Sequence, residues 1–247
     1  MSTKQISPRA TGFAFRPAFH LPLIFGGMAG LFFTVGVWLL VSDSPEREFA
    51  RGSALELADA NTLRWRELGQ VVLVEGRLST ENRTGFRDFI AYQRDRYAGK
   101  DSDGPNQDVE RWTRIELVTP PLILETNGGK VEVVNSRYTL RNSPQRWRSG
   151  VAQVTIFGPN TERAHGFIAG DLVVVEGKVT ETAAGADGKP GRALEATVLF
   201  GGNHAAYVAN LKGGIVAAKI IGGVFTGVGL LLGLVAWIIR TKLSKRA

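Results

Sequence analysis

The sequence predicts an all-β fold, a small β-barrel domain carried between two transmembrane α-helices. Two apolar runs near the ends of the 247-residue chain predict the helices, and eight short apolar runs between them predict the strands. All 23 acidic residues lie between Asp43 and Glu195, so the basic excess behind the net charge of +7 belongs to the segments that flank the apolar runs. This distribution indicates membrane topology rather than nucleic-acid binding.

The predicted segments follow one another without overlap. Residues 1–20 are a cytoplasmic or interfacial N-terminal segment, 21–42 transmembrane helix 1, 43–64 a connector, 65–212 the β-domain, 213–240 transmembrane helix 2, and 241–247 a basic cytoplasmic tail.

The two apolar runs have the length of membrane spans. Leu21 to Val41 is 21 residues without a charge and Ile220 to Ile239 is 20, and a spanning helix needs about 20. A cleaved signal peptide is the alternative for the first run, but its apolar core is normally about 7 to 15 residues and ends at a small-residue cleavage site, which VSDSPERE does not supply.

Orientation follows from lysine and arginine beside the spans. The chain ends carry Lys4, Arg9, Arg16, Arg240, Lys242, Lys245 and Arg246, against Arg47, Arg51, Lys212 and Lys219 beside the central domain. Since the more basic side stays inside, both termini are expected to be cytoplasmic and the central domain extracytoplasmic.

Glycines at helical spacing recur in both apolar runs. They are Gly26, Gly30, Gly222, Gly223, Gly227, Gly229 and Gly233. Small residues let helix backbones approach closely in a membrane, so we expect the two spans to pack together or onto a partner. The alternative is that glycine is simply common in membrane helices.

The sequence pattern of the central region is typical of short strands. The predicted strands are residues 71–78, 89–97, 113–118, 121–126, 130–135, 151–157, 171–179 and 193–200. Asn127-Gly128-Gly129 predicts a hairpin turn. The polar stretches 98–111 and 180–192 predict a mobile loop and a hairpin tip, and the connector is predicted to contain one short amphipathic helix.

One strand-like segment occurs twice. GQVVLVEGRLST at 69–80 and GDLVVVEGKVTE at 170–181 share their apolar run and its following glycine. A glycine inside a strand usually marks a bulge or a bend, and it lets a long strand curl around a small barrel. The pattern therefore predicts an OB-like barrel.

Motifs for catalysis are missing from the sequence. The lack of cysteine excludes disulfides, thiolate metal sites and a cysteine nucleophile, and the chain has no Walker A, dinucleotide-binding, GxSxG or HExxH motif. The three histidines, His20, His165 and His204, have no metal-ligand spacing. We therefore expect no enzyme activity, cofactor or metal; an enzyme using His165 or His204 is the contrary hypothesis.

Residues 136–150 interleave arginines with aromatic residues. The candidate contacts to a partner or to lipid are Tyr92, Arg137, Tyr138, Arg141, Arg146, Trp147 and Arg148. Such clusters bind phosphate-bearing headgroups or acidic surfaces. The alternative is a solvated face balanced by nearby acids, and the net charge of −1 over residues 42–212 argues against nucleic acid.

Three segments resemble the central pattern of the GIDE-type domain. They are FIAYQRDRY at 89–97, ERW at 110–112 and TPPLILETNGGKVEVV at 119–134, and the resemblance covers residues 65–202. The family includes the mitochondrial two-span RING ubiquitin ligase and prokaryotic relatives, so the resemblance implies an OB-like domain outside the cytoplasm between two membrane helices. It does not imply ligase activity, which resides in a zinc finger after the second span, because this chain has no cysteine.

The layout is also similar to the Surfeit-locus cytochrome oxidase assembly proteins. Trp38, VVNSRY at 133–138 and NHAAY at 203–207 carry this similarity. The Asn-Arg-Gly-Trp run of that family is replaced here by residues 135–138, Asn-Ser-Arg-Tyr.

Together these features predict an integral membrane protein that acts as a non-catalytic scaffold, assembly factor or subunit of a membrane protein complex. Its expected partners are the lipid bilayer and a membrane protein or a second copy of the chain, with no nucleic acid. The alternatives are a membrane-anchored module that binds lipid or a small ligand, and a cytochrome oxidase assembly factor-like protein.

Overall fold

The computed structural model describes residues 21–41, 44–100, 110–149, 161–182 and 191–244. The chain forms two compact units, one made of residues 1–47 with 213–247 and the other of residues 48–212. The strand predicted at 151–157, the N-terminal segment 1–20 and much of the two predicted polar loops lie outside the described residues.

The described residues form four helices and eleven strands. In chain order these are α1 (Leu21–Val41), α2 (Ser44–Ala54), β1 (Leu57–Ala58), α3 (Ala60–Leu63), β2 (Val71–Leu78), β3 (Phe89–Lys100), β4 (Glu110–Val118), β5 (Leu122–Thr126), β6 (Gly129–Val133), β7 (Thr139–Arg141), β8 (Gln145–Arg148), β9 (Glu162–Ile168), β10 (Leu172–Thr182), β11 (Gly191–Gly201) and α4 (His204–Ser244).

Among the described residues, one helix has the length and composition needed to cross a membrane. It is α4, over His204–Lys242, whereas the apolar part of α1, Ile24–Trp38, is shorter. Of the two predicted spans, one is thus matched by a helix that is long and apolar enough to cross a membrane. The description all-β also needs correction, because α4 alone contains 41 residues and begins inside the region predicted as the β-domain.

Five strands close into a barrel in the order β2-β10-β11-β6-β5, which confirms the predicted small barrel. Closure comes from β2, whose Arg77 and Leu78 pair with Glu125 and Leu124 of β5. The predicted Asn127-Gly128 turn joins β5 to β6, with Thr126 paired to Gly129. Apolar side chains from all five strands fill the interior, among them Val72, Val74, Leu78, Leu124, Val131, Val133, Val173, Val175 and Leu194.

The two similar segments form β2 and β10, which lie side by side and antiparallel. Val74 pairs with Val175, its counterpart in the other segment, so a local two-fold axis relates the strands. The amide of Gly69 donates to the carbonyl of Val179 at 2.8 Å, and the amide of Gly170 donates to that of Leu78 at 2.7 Å. Both glycines have φ of +81°, a conformation that L side chains rarely adopt.

Each of these strands carries a glycine where another backbone comes close. At Gly177 the register of β10 with β11 shifts, and an added Cβ would lie 2.8 Å from the carbonyl oxygen of Glu195. At Gly76 an added Cβ would lie 2.8 Å from the carbonyl oxygen of Glu125, where β2 turns from β10 towards β5. The predicted bulge is therefore present at Gly177, and Gly76 permits the barrel to close.

Within the described ranges, a second sheet has the order β4-β3-β9-β8. Four of the observed strands, β1, β7, β8 and β9, were not predicted. No strand was predicted within residues 136–150, yet β8 pairs with β9 there and β7 pairs with β11 of the barrel. Short strands rich in arginine lack the apolar alternation from which strands are predicted, and their pairing comes from neighbours far away in sequence.

Candidate functional site

In the helical unit, α1 and α4 pack antiparallel at a constant register. Cβ atoms added at Gly36, Gly229 and Gly233 would meet Thr226, Phe33 and Ala29 respectively, at 2.4, 2.6 and 3.9 Å. The ring of Phe32 lies against that of Phe225, with centroids 5.5 Å apart. Small residues thus permit close contact between these helices, as expected for helix association in lipid.

The predicted packing glycines divide into two groups. Gly229 and Gly233 face α1, and the carbonyl oxygen of Gly222 would lie 2.9 Å from a Cβ added at Gly36. Gly26, Gly30, Gly223 and Gly227 have no described atom within 4 Å of an added Cβ, so they do not contribute to this contact. The sequence did not predict Gly36 as a packing residue, because no other glycine lies four residues from it.

In the barrel unit, α2 and the first turns of α4 cover one outer face of the barrel. Leu73 of β2, Val174 of β10 and Phe200 of β11 form a buried cluster with Tyr207 and Leu211 of α4. Phe49 and Leu55, in α2 and directly after it, pack against the cluster from the side. Burial of these side chains is the main force that holds the helices there.

Two equivalent glutamates of the paired segments hold the start of α4. Glu176 is 3% exposed, accepts a hydrogen bond from the Tyr207 hydroxyl at 2.5 Å and pairs with Arg51 at 2.8 Å. Its counterpart Glu75 accepts a hydrogen bond from the backbone amide of His204 at 2.7 Å. Sequence reasoning missed this role, although the shared Val-Glu-Gly of both segments marked the positions.

Two predicted contact residues are core residues instead. Tyr138 is 6% exposed and its hydroxyl donates to the carbonyl of Pro120 at 2.7 Å, while Tyr92 is 4% exposed and its hydroxyl bonds Glu116 at 3.1 Å. Burial raises the pKa of both phenols. Both tyrosines pack into hydrophobic clusters, so neither is placed to contact a partner.

The arginines after Tyr138 are mostly held by neighbours, as the balanced-face alternative expected. Arg141 pairs with Glu48 at 2.8 Å, and Arg146 pairs with Asp171 at 2.6 Å. Arg148 lies 5.6 Å from the centre of the Trp112 ring. Trp147 is half-buried, and its ring meets that of Phe86 edge-on at 4.9 Å.

The second sheet carries a buried polar cluster around Asp95, which is 3% exposed. Its carboxylate accepts hydrogen bonds from Gln93 at 2.7 Å and Arg163 at 3.1 Å, and lies 3.9 Å from Nε2 of His165. Burial and the positive charge of Arg163 lower the pKa of His165, although Asp95 opposes them. The other candidate histidine, His204, is the first residue of α4, whereas His165 belongs to β9.

The remaining candidate, Arg137, is exposed and lines an open cavity of about 360 Å³ with Lys178. Among the described residues, no group of three or more histidine and acidic side chains is arranged to hold a metal ion. The barrel unit thus has a packed interior, a helix start anchored by two glutamates, and a cavity lined by Arg137 and Lys178.

Comparison of the chain with protein-family models, with curated proteins and with solved structures finds no match. The residues and their geometry alone therefore carry the functional argument.

Proposed function

We propose that this chain is an integral membrane protein whose OB-like barrel serves as a non-catalytic scaffold or assembly factor of a membrane protein complex. The antiparallel packing of α1 against α4 carries this proposal. Three contacts along the pair, Gly36 with Thr226, Phe33 with Gly229 and Ala29 with Gly233, keep one register. Two antiparallel helices packed in this way have the arrangement expected of a chain that crosses a bilayer twice.

The outward side chains of the helix pair suit lipid. Leu231 and Trp237 of α4 and Leu31 and Trp38 of α1 are each more than 60% exposed. Such an apolar surface is costly in water and stable in a bilayer. Although its described apolar part is short, α1 contains 21 uncharged residues, which is long enough for the second span that we propose.

The boundary of the proposed membrane is supported by an ion pair. Lys219, at the beginning of the apolar run of α4, pairs with Glu46 of α2 at 2.8 Å. A lysine at the end of a span places its charge at the interface, where an acidic partner and water solvate it. Both termini would then lie on the cytoplasmic side and the barrel on the other side.

The filled interior of the barrel favours binding at its outer surface rather than inside it. Large barrels hold ligands inside, whereas this interior is occupied by buried valine and leucine side chains. A barrel packed in this way leaves its outer faces and loops for binding to another protein. The resemblances to the GIDE-type domain and to the Surfeit-locus assembly proteins agree with a role of this kind.

The test is purification of the tagged full chain from its own membranes in a gentle detergent, with quantitative mass spectrometry of the proteins that accompany it. We expect at least one membrane protein at a fixed molar ratio that survives a second purification step. Recovery of the chain as a lone monomer would contradict the scaffold role. Recovery of the chain with a retained lipid would favour the alternative, a lipid-binding module.

A further inference from the structure

A cavity of about 360 Å³ lies on the outer surface of the barrel, beside strands β10 and β11. Its walls come from the connection between β6 and β7 and from the two strands. The residues that line it are Val134, Asn135, Ser136, Arg137, Lys178, Glu195, Ala196 and Thr197. Its volume lies within the usual range of small-ligand sites.

The two cationic side chains of the cavity, Arg137 and Lys178, are exposed and have no ion pair among the described residues. This distinguishes them from the nearby arginines, since Arg141 and Arg146 each pair with an acid at less than 3 Å. A guanidinium and an ammonium in one concave site form a place where an anion gains charge-assisted hydrogen bonds.

The cavity wall is fixed before any ligand binds. The side-chain amide of Asn135 bonds the backbone of Ala196 twice, donating to its carbonyl and accepting from its amide, both at 2.8 Å. The Thr119 hydroxyl donates to the carbonyl of Ser136 at 2.7 Å. The backbone that carries Arg137 is thereby tied to β11, which lowers the entropy cost of binding.

We propose that this cavity binds a phosphate group, supplied by an anionic phospholipid headgroup or by free phosphate. Arg137 offers a planar fork of donors that matches two phosphate oxygens, Lys178 adds a point charge, and Ser136 supplies a hydroxyl. Glu195 lies opposite Lys178 in the register of β10 with β11, and its charge reduces the positive charge of the site. This proposal goes beyond the scaffold role and does not depend on it.

Because the cavity contains both cations and the carboxylate of Glu195, substitutions in it are expected to change phosphate affinity in opposite directions. In the full chain held in phosphatidylcholine nanodiscs, we expect Arg137→Gln and Lys178→Gln each to weaken binding of inorganic phosphate about tenfold, the loss of one charge-assisted hydrogen bond. Glu195→Gln should strengthen binding, because it removes a repelling charge. Arg83→Gln, which changes an exposed arginine outside the cavity, should leave affinity unchanged.

Binding is measured by titration calorimetry with inorganic phosphate, and lipid binding by native mass spectrometry of chain released from nanodiscs that also contain phosphatidylglycerol. Phosphate binding with the expected order of variants supports the proposal with free phosphate as a ligand. Retention of phosphatidylglycerol that Arg137→Gln and Lys178→Gln abolish supports it with the headgroup as the source. Absence of both, or equal binding by all variants that keep the parent unfolding temperature, overturns it.

Discussion

At the scale of single residues, Glu176 shows how a buried charge is held in this barrel. A carboxylate that is 3% exposed loses most of its hydration, and only nearby donors offset that cost. The Tyr207 hydroxyl and the guanidinium of Arg51 provide these donors. Since Tyr207 lies in α4 and Arg51 in α2, one carboxylate joins both helices to the barrel.

We predict that Tyr207→Phe lowers the free energy of unfolding by about 1 to 3 kcal/mol, because it leaves a buried acceptor with one donor fewer. A double-mutant cycle with Glu176→Leu, which removes the acceptor, isolates the contribution of this hydrogen bond when measured by chemical unfolding in detergent. The expected coupling is stabilising. Strictly additive effects of the two substitutions would show that the hydroxyl and the carboxylate do not interact.

A second residue prediction concerns His165. Because its pKa is lowered from 6.5 in the folded chain, the unfolded chain takes up the proton more readily. The stability that depends on neutral His165 is therefore complete above pH 6.5. It is lost as the pH falls through the pKa of His165 in the folded chain. We expect His165→Gln to lose less thermal stability than the parent between about pH 8 and about pH 5. Identical losses in both proteins would argue against this role.

The fate of the two buried tyrosines shows a limit of residue-level prediction. Tyr92 and Tyr138 lie near arginines in the sequence, which suggested an exposed cluster. Their hydroxyl groups instead meet Glu116 and the carbonyl of Pro120 inside the fold. Which side chains are buried depends on how distant segments pack together, and composition alone does not contain that information.

At the scale of elements, the helix pair gives a direct test of register. The chain has no cysteine, so any disulfide must be an introduced one. A Cβ at Gly233 would lie 3.9 Å from the Cβ of Ala29, within the range of about 3.5 to 4.5 Å found in disulfides. We predict that the double variant Ala29→Cys/Gly233→Cys crosslinks on mild oxidation in the membrane, as seen by altered migration in a denaturing gel.

The matched control places the second cysteine on another face of α4. Ala29→Cys/Gly223→Cys should not crosslink within the chain, because a Cβ at Gly223 has no described atom within 4 Å. Adding Gly229→Leu to the crosslinking pair should reduce the yield severalfold, since its side chain would collide with the backbone of Phe33. Equal crosslinking at positions 223 and 233 would contradict the register.

Elements differed in how well sequence patterns predicted them. β2 and β10 were predicted within about three residues because each is an uninterrupted apolar run with β-branched residues ahead of a glycine. β8 and β9, with the sequences QRWR and ERAHGFI, lack this pattern and form through pairing with each other and with β3. Their existence is a tertiary effect that local propensity does not encode.

At the scale of the whole molecule, α4 belongs to both units. Residues 204–212 lie in the barrel unit, and the helix continues without a break through 213–244 of the helical unit. Sequence hydropathy located the apolar part but placed the start of the helix too late, because residues 204–212 are only partly apolar and owe their burial to the barrel. The cavity at Arg137 likewise depends on how distant strands meet.

The most direct test of a two-span membrane protein is the side of the membrane that each part faces. Single cysteines are introduced at Ser2, Arg83 and Lys245 of the otherwise cysteine-free chain, and each is labelled in sealed membrane vesicles with a reagent that does not cross the bilayer. We predict that positions 2 and 245 react from one side and position 83 from the other. Labelling of positions 2 and 83 from the same side, with 245 opposite, would show that only α4 crosses and would contradict the account.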